Sequence, residues 1–207
     1  MANDADCLAV SEAADGAAAG AACVFAVILG TGVGGGLVID GKLRQGPNAI
    51  TGEWGHNALP WPRADWGEVP GPLHWDGQHG VIEAYLSGPG MAADHQRVNG
   101  VSASGEQIVA AATAGDMAAE QTLCRYEHRL ARALASVINV IDPDVIVLGE
   151  SDGLLGVKSS FNVHVYDTRA KTQHVAAVFA VITHQVYQFA DVFFDILHPD
   201  QAVEFVQ

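Results

Sequence analysis

Apolar residues form two continuous runs along the chain that are typical of buried β-strands. They are CVFAVILG at 23–30 and DVIVLGE at 144–150, and both have the length of strands rather than of helices. Between them, apolar residues spaced by three, four and seven predict a long amphipathic helix, which Asp142-Pro143 ends. A helix that leads back into a buried strand is typical of a crossover between parallel strands, so we predict an α/β fold.

Less regular patterns predict two short helices and a hairpin in addition to the two strands and the long helix. Residues 1–22 favour a short helix that Asp15-Gly16 ends, and residues 81–95 favour another that Ser87-Gly88-Pro89 ends. Asp40-Gly41 follows alternating apolar residues and predicts a hairpin turn. The glycines that precede this hairpin are therefore expected in a turn between two antiparallel strands.

The last quarter of the chain has no clear pattern. Residues 151–207 are apolar with mixed periods that suit a helix or a strand. We therefore divide the chain into a domain at 1–150 and a tail of uncertain fold at 151–207.

Composition and charge exclude several classes of protein. Of the 207 residues, 49% are apolar and only 16% are charged, so the chain is not intrinsically disordered. Its 24 acidic and 10 basic residues give a net charge of −14, and we expect neither a nucleic-acid nor a membrane partner. Three widely spaced cysteines, and an amino terminus without the positive region of a signal peptide, predict a cytoplasmic protein.

A glycine-rich run, GTGVGGG at 30–36, is the first candidate for chemistry. Gly30, Gly32 and Gly35 match the G-x-G-x-x-G fingerprint of dinucleotide-binding folds, but a strand rather than a helix follows, which argues against that fold. Two interpretations remain. The run is either a backbone nest whose N–H groups hold phosphate oxygens or a turn that binds nothing.

Polar side chains suited to a sugar occur at two further places. Asn3-Asp4 precedes the first predicted helix and is either a helix cap or a general base, Asp4, beside an amide that binds a hydroxyl group. Glu53, His56 and Glu83 lie in or beside loop-rich segments, and they are either sugar ligands or solvated loop residues.

Taken in order, these segments resemble the ROK family of sugar kinases, and most of all its bacterial fructokinases. The resemblance extends from Asn3 to Gly149, and it is carried by NDADCLAVSEA, VILGTGVGGGLVIDGKL, GPNAITGEWGHNALPWP, GQHGVIEAYLSGPG and RYEHRLARALASVINVIDPDVIVLGE. It implies one lobe of an actin-like ATPase (ribonuclease H-like) fold and the ATP-dependent phosphorylation of a hexose, with ATP and Mg²⁺ as cofactors. The sequence leaves open whether the protein is a monomer or a homodimer.

The resemblance also implies a role for each candidate residue. It makes Asp4 the catalytic base, and it makes Asn3, Glu53, His56 and Glu83 ligands of the sugar. It makes the glycine run a phosphate loop that contacts ATP through Gly30, Thr31, Gly32, Gly34 and Gly35.

Two features of the family do not occur in the sequence. The family has an amino-terminal lobe with a D-x-G-G-T-K phosphate loop, and it has a V-L-G-G-G segment where this chain has Gly149 followed by Glu150. We therefore expect an incomplete lobe and do not expect full activity from it in isolation. The alternative is a non-catalytic sugar-binding or remnant domain.

The structural zinc site of the family is also altered. The family binds zinc through the histidine of GEWGH, here His56, and through the cysteines of C-x-C-G-x-x-G-C, whose positions are taken by His74, Asp76 and Val81. One interpretation is a replacement site made of His56, His74, Asp76 and His79, and the other is a loop that has lost its metal. We favour the loss of the metal, because a valine side chain cannot bind it.

Overall fold

The computed structural model describes residues 3–150 and 164–167, and its strands form one mixed sheet. The strands are β1 Cys23–Leu29, β2 Val33–Ile39, β3 Lys42–Leu43, β4 Val145–Glu150 and β5 His164–Asp167. They follow the order β3-β2-β1-β4-β5, in which β1 and β4 are parallel and the other neighbours are antiparallel. The predicted α/β fold and its two buried strands are therefore confirmed.

Five α-helices accompany the sheet in the described part of the chain. They are α1 Asp4–Ala14, α2 Glu83–Leu86, α3 Gly88–Asn99, α4 Gly105–Thr113 and α5 Met117–Ile141. As predicted, α1 ends at Asp15 and α5 ends at Asp142, where the backbone turns left-handed with φ 48°. None of these helices is long and apolar enough to cross a membrane.

The segment 81–95 forms two helices instead of the one predicted. The first helix ends at Ser87, as expected, but Ser87 Oγ also accepts a hydrogen bond of 3.1 Å from the Gly90 amide and so caps α3. Pro89 lies in the first turn of α3, where its missing N–H removes no helical hydrogen bond. A tripeptide that ends one helix thus begins the next.

Helices cover both faces of the sheet, which is why β1 is apolar along its whole length. Phe25 of β1 lies in a core on one face together with Leu134 of α5. Val24, which points to the opposite face, lies in a second core with Ala9 of α1. The sheet is therefore the middle layer of three.

Strand β2 contains three consecutive glycines that the sequence placed in a turn. Only residues 30–32 form the turn, whereas residues 34–36 are paired with β1. A β-carbon on Gly36 would lie 2.5 Å from Ala5 O and 2.8 Å from Ala9 Cβ. The missing side chain lets α1 lie directly on the strand, and this close approach explains the glycine.

Strand β5 connects part of the segment 151–207 to the sheet. Residues 164–167 pair with β4, with Ile146 opposite Tyr166. The rest of the predicted tail lies outside the described residues.

A buried cluster of charges ties a long loop to α5. Arg129 Nε and Arg132 Nη2 both lie 2.8 Å from Glu68 Oε1, and all three residues are at most 2% exposed. Arg132 Nη1 also donates to the carbonyl oxygens of Pro60 and Trp61, at 3.1 and 2.6 Å. Burial by itself would raise the pKa of Glu68, but the hydrogen bonds from the two arginines outweigh it and hold this pKa below its ordinary value.

We predict that Glu68→Gln destabilises the protein by about 3–5 kcal/mol at pH 7, because two buried arginines lose the carboxylate that they share. Arg129 keeps a second carboxylate, Asp94 at 3.2 Å, whereas Arg132 is left with backbone carbonyl oxygens. Since folding lowers the pKa of Glu68, its carboxylate stabilises the fold above an unfolded pKa of about 4.3, and this contribution is lost as the pH falls further. Urea denaturation followed by circular dichroism should show a difference between wild type and variant at pH 7 that shrinks below about pH 4.

A matched control is Asp65→Asn, which removes a carboxylate that pairs with Arg63 at 2.9 Å on the exposed surface. This variant should unfold at the same urea concentration as the wild type, because exposed ion pairs contribute little. Equal midpoints for the wild type and Glu68→Gln would contradict the stabilising role of the buried cluster.

Candidate functional site

Several of the polar residues that the sequence singled out lie near one edge of the sheet, namely the edge formed by the carboxyl ends of its parallel strands. The carboxyl ends of β1 and β4 meet there, and the turn at 30–32 follows β1. The first turn of α1 lies at this edge, since a β-carbon on Gly34 would be 3.6 Å from Ala5 Cβ. Glu83 reaches it through a hydrogen bond of 2.8 Å from the Val33 amide to its Oε2. Open α/β sheets bind ligands at the carboxyl ends of parallel strands, so this edge is the candidate site.

Asn3 and Asp4 are exposed at the start of α1. Asn3 Oδ1 accepts a hydrogen bond of 2.7 Å from the Asp6 amide, which confirms the interpretation of Asn3 as a helix cap. Asp4 Oδ1 accepts a hydrogen bond of 2.9 Å from the Ala5 amide. The carboxylate of Asp4 thus lies at the positive end of the helix, where a negative charge is favourable, and it is accessible to a ligand.

The turn at 30–32 is partly closed by hydrogen bonds within the protein. The Gly30 amide donates to Gly32 O at 3.0 Å, and the Val33 amide donates to Glu83. A β-carbon on Gly32 would lie 2.8 Å from Glu83 Oε2, so this glycine makes room for the carboxylate. Of the predicted phosphate-binding residues, the turn holds Gly30, Thr31 and Gly32, whereas β2 holds Gly34 and Gly35.

The loop that carries Glu53 and His56 lies directly on β2. The backbone of Gly52, which has φ +91°, approaches Gly35 so closely that a β-carbon would overlap Gly35 O. Trp54 Nε1 donates to a carbonyl oxygen of β2 at 3.0 Å. Because neither Gly35 of β2 nor Gly52 of the loop carries a side chain, the two backbones can meet, and this contact sets the position of the loop.

Glu53 and His56 line an open groove of about 760 Å³ between this loop and the end of α5. Its walls include Ile50 and Val140, which are 64% and 86% exposed. The other predicted sugar ligands do not line this groove. The structure thus divides the predicted ligands between the groove, the start of α1 and the glycine turn.

His56 belongs to a cluster of four polar side chains that contact one another in sequence. The other three are Asp76, His74 and Glu83. His56 Nδ1 lies 3.2 Å from Asp76 Oδ2, and His74 Nδ1 lies 2.9 Å from Asp76 Oδ1. On its other side, His74 Nε2 lies 2.8 Å from Glu83 Oε1. Burial opposes the charged form of His74, but the two carboxylates outweigh this effect and raise its pKa.

The predicted metal ligands come together, apart from His79. One ligand atom from each of His56, His74 and Asp76 lies within 4.8 Å of the others. His79 is exposed, and its Nδ1 lies 3.0 Å from a backbone oxygen outside the group. These residues do not fit the closed four-ligand zinc site that the resemblance implies, because Val81 at the fourth position is buried and apolar.

Trp75 and Gln78 are parts of the site that the sequence did not single out. Trp75 is 79% exposed, and its Nε1 lies 3.3 Å from Glu83 Oε1. Gln78 donates to Asp76 from its backbone and its side chain, at 2.9 and 3.2 Å. The pattern Asp-Gly-Gln is typical of a turn in which aspartate accepts from the backbone two residues on, so Gln78 could have been found from the sequence. No comparable signal indicates Trp75.

The chain belongs to the ROK family, whose family model matches residues 1–188. Among its curated relatives is the N-acetyl-D-glucosamine kinase of Shigella boydii, which is 41% identical over 149 residues. The matched part is 71% of this chain and 49% of the relative, so the chain spans about half the length of the curated relatives it matches.

Solved structures of this family have the same fold. The ROK hexokinase from Thermus thermophilus has a TM-score of 0.64 and 30% identity, covering 72% of this chain and 48% of its own. The ROK family glucokinase from Streptomyces griseus, solved with glucose and AMPPNP, has a TM-score of 0.62 and 28% identity, covering 72% and 51%. The expected actin-like ATPase fold is therefore confirmed. The N-acetyl-D-glucosamine kinase and the glucokinase are named for sugars other than fructose, so they do not support the narrower resemblance to fructokinases.

We predict that Gly36→Ala destabilises the protein by about 1–3 kcal/mol, because the new methyl group meets the backbone of α1 and must displace it. Gly34→Ala is the matched control, since its β-carbon would be in ordinary contact with Ala5 Cβ at 3.6 Å. Thermal unfolding should show a clear loss of stability for the first variant and a small change for the second. Equal stability of the two variants would contradict the packing of α1 on β2.

Proposed function

We propose that this chain binds a hexose at the candidate site and provides the general base for its ATP-dependent phosphorylation. The observation that carries this proposal is the exposed carboxylate of Asp4, which begins α1 at the sheet edge where Glu83 contacts the glycine turn. A base at this point can accept the proton of a sugar hydroxyl group while its oxygen attacks the phosphorus atom.

The proposed sugar ligands approach the site from two sides. Asn3 and Asp4 belong to α1, whereas Glu53, His56 and Glu83 belong to the segment that follows β3. Asn3 is held by its capping bond, and Glu83 is held by the Val33 amide and by His74. Side chains that are fixed before the sugar arrives lose little conformational freedom on binding it, and they orient the reacting hydroxyl group.

ATP and Mg²⁺ are the cofactors that membership of the family implies. Thr31 and Gly32 are the residues of the turn whose backbone we propose for the phosphate groups, because glycine allows a close approach. When bound, ATP supplies the phosphoryl group and Mg²⁺ offsets the charge of its phosphates. The part of this chain is to hold the sugar and to accept the proton on a carboxylate oxygen of Asp4.

The sugar is proposed as a class, a hexose or a 2-acetamido hexose. The curated relative described above is named N-acetyl-D-glucosamine kinase, and the two solved relatives described above are a hexokinase and a glucokinase. The sequence motifs of the chain resemble those of fructokinases. N-acetylglucosamine, glucose and fructose are therefore the three sugars to compare.

Asp4→Asn should lower the rate of sugar phosphorylation by about 100-fold or more, because asparagine keeps the shape of the side chain but cannot accept the proton. A coupled assay of ADP formation with the three sugars measures the rate, and isothermal titration calorimetry measures sugar binding. We expect the dissociation constant of the sugar to stay nearly unchanged in this variant.

The matched control is Asp15→Asn, at the opposite end of the same helix. This variant should retain the rate of the wild type. If Asp4→Asn were as active as the control, Asp4 could not be the base.

Sugar binding without phosphoryl transfer is the second candidate function. It is favoured by the hydrogen bond from the Val33 amide to Glu83, because that N–H group is then not offered to a phosphate. In this case calorimetry detects a sugar bound to the wild type, whereas ADP formation stays at background with all three sugars.

A further inference from the structure

We infer that Trp75 is the apolar platform of the candidate site, and that the C–H face of a hexopyranose stacks on its indole while His56 and Glu83 bind hydroxyl groups of the sugar. The inference rests on the proposed function and narrows it, because it names a residue that holds the sugar and the shape of sugar that fits. It concerns sugar binding alone and not phosphoryl transfer.

Trp75 is the most exposed of the four tryptophans in the chain, at 79%. Exposure by itself does not mark a binding site, since Trp61 is also 53% exposed and single apolar residues are common on protein surfaces. The neighbours of Trp75 distinguish it. Trp75 contacts two of the proposed sugar ligands, whereas Trp61 lies in the part of the loop that Arg132 holds.

The indole of Trp75 is held by one polar and two aromatic contacts. Its Nε1 donates to Glu83 Oε1 at 3.3 Å. Its ring centroid lies 5.6 Å from that of His56 and 5.1 Å from that of His74, with interplanar angles of 89° and 47°. The ring is therefore fixed before a ligand arrives, while most of its surface stays open, so stacking costs little conformational freedom.

Trp75 lies beside two parts of the candidate site. His56 lines the groove between its loop and the end of α5, whereas Glu83 binds the Val33 amide at the glycine turn. The indole contacts both of these side chains. A sugar that reaches from one of these ligands to the other therefore lies against Trp75.

The surface of a hexopyranose suits this combination of groups. Its rim carries hydroxyl groups, which hydrogen-bond to carboxylates and imidazoles, and its faces carry C–H groups, for which leaving water is favourable. Binding sites for small molecules commonly combine aromatic walls with a few placed polar groups. In the β-anomers of glucose and N-acetylglucosamine every ring substituent is equatorial, so the C–H groups lie on the two faces. No ring form of fructose has this arrangement, so the platform favours gluco-configured pyranoses over fructose.

The first test measures sugar binding to the full chain by isothermal titration calorimetry with N-acetylglucosamine and glucose. Trp75→Ala removes the platform, and we expect the dissociation constant to rise about tenfold or more. Trp75→Phe keeps an aromatic face but loses the N–H group, so we expect a rise of at most about threefold. Equal losses in the two variants would show that the indole only orients Glu83, and they would overturn the inference.

A matched control is Trp61→Ala, which removes the other strongly exposed tryptophan. This variant should bind both sugars as the wild type does. The Tm of Trp75→Ala should change by no more than about two degrees, because truncating an exposed side chain costs little stability. If Trp75→Ala bound the sugars as tightly as the control, the indole could not be the platform.

Tryptophan fluorescence reports the stacking contact directly. A sugar that covers the indole moves Trp75 from water into a less polar environment. N-acetylglucosamine should therefore shift the emission of the wild type and of Trp61→Phe to shorter wavelength, and it should leave the emission of Trp75→Phe unshifted. A shift of equal size in Trp75→Phe would place the sugar beside another tryptophan and would contradict the inference.

Fructose distinguishes the failure of this inference from the failure of the proposed function. We expect the wild type to bind fructose more weakly than glucose, and we expect Trp75→Ala to lose most of that preference. If the wild type bound fructose as tightly as glucose, this inference would be wrong, but the chain would still bind a hexose. If the wild type bound none of the three sugars, both the inference and the proposed function would be wrong.

Discussion

The run of three glycines at 34–36 in β2 is the constraint on which the arrangement of the candidate site depends. On one face of the strand, Gly36 admits the backbone of α1, and on the other face Gly35 admits Gly52. Glycine in a strand is unfavourable by itself, because it loses the most conformational freedom on folding and buries no side chain. The close packing of two segments on this strand offsets that cost, and it brings both segments to the edge of the same sheet.

This geometry also determines where a ligand must lie. α1, which begins with Asp4, and the loop that carries Glu53 lie on opposite faces of β2, so a ligand that touches both side chains has to lie beyond the end of the strand. The glycine turn and Glu83 occupy that position, and Glu83 already binds the first amide of the strand. The glycine-rich motif and the GEWGH motif are thus related by direct contact, although separate patterns in the sequence identified them.

The parts of the fold that follow from local patterns could be predicted, and those that depend on distant partners could not. The buried strands and α5 have a periodicity that the sequence displays. The strand at Gly34–Gly36 was missed, because glycine has a low strand propensity and the reason for it is the packing of another helix. Likewise, Glu68 would pass for a surface residue, since the two arginines that bury it are 61 and 64 positions away. The spacing of His79 suggested a ligand, but its direction is set by the backbone of the loop.

Two clusters of charge hold the long segment between the loop on β2 and α2. Glu68 connects the segment to α5, Asp76 connects it to His56, and His74 connects it to Glu83 at the start of α2. Donors around these three carboxylates keep their pKa values below the ordinary range, against the opposing effect of burial. The segment has little regular structure of its own, so its position depends on these ionised groups together with buried apolar side chains such as Leu59 and Ile82. Because the same segment ends at Glu83, the geometry of the candidate site depends on electrostatic interactions some distance from any ligand.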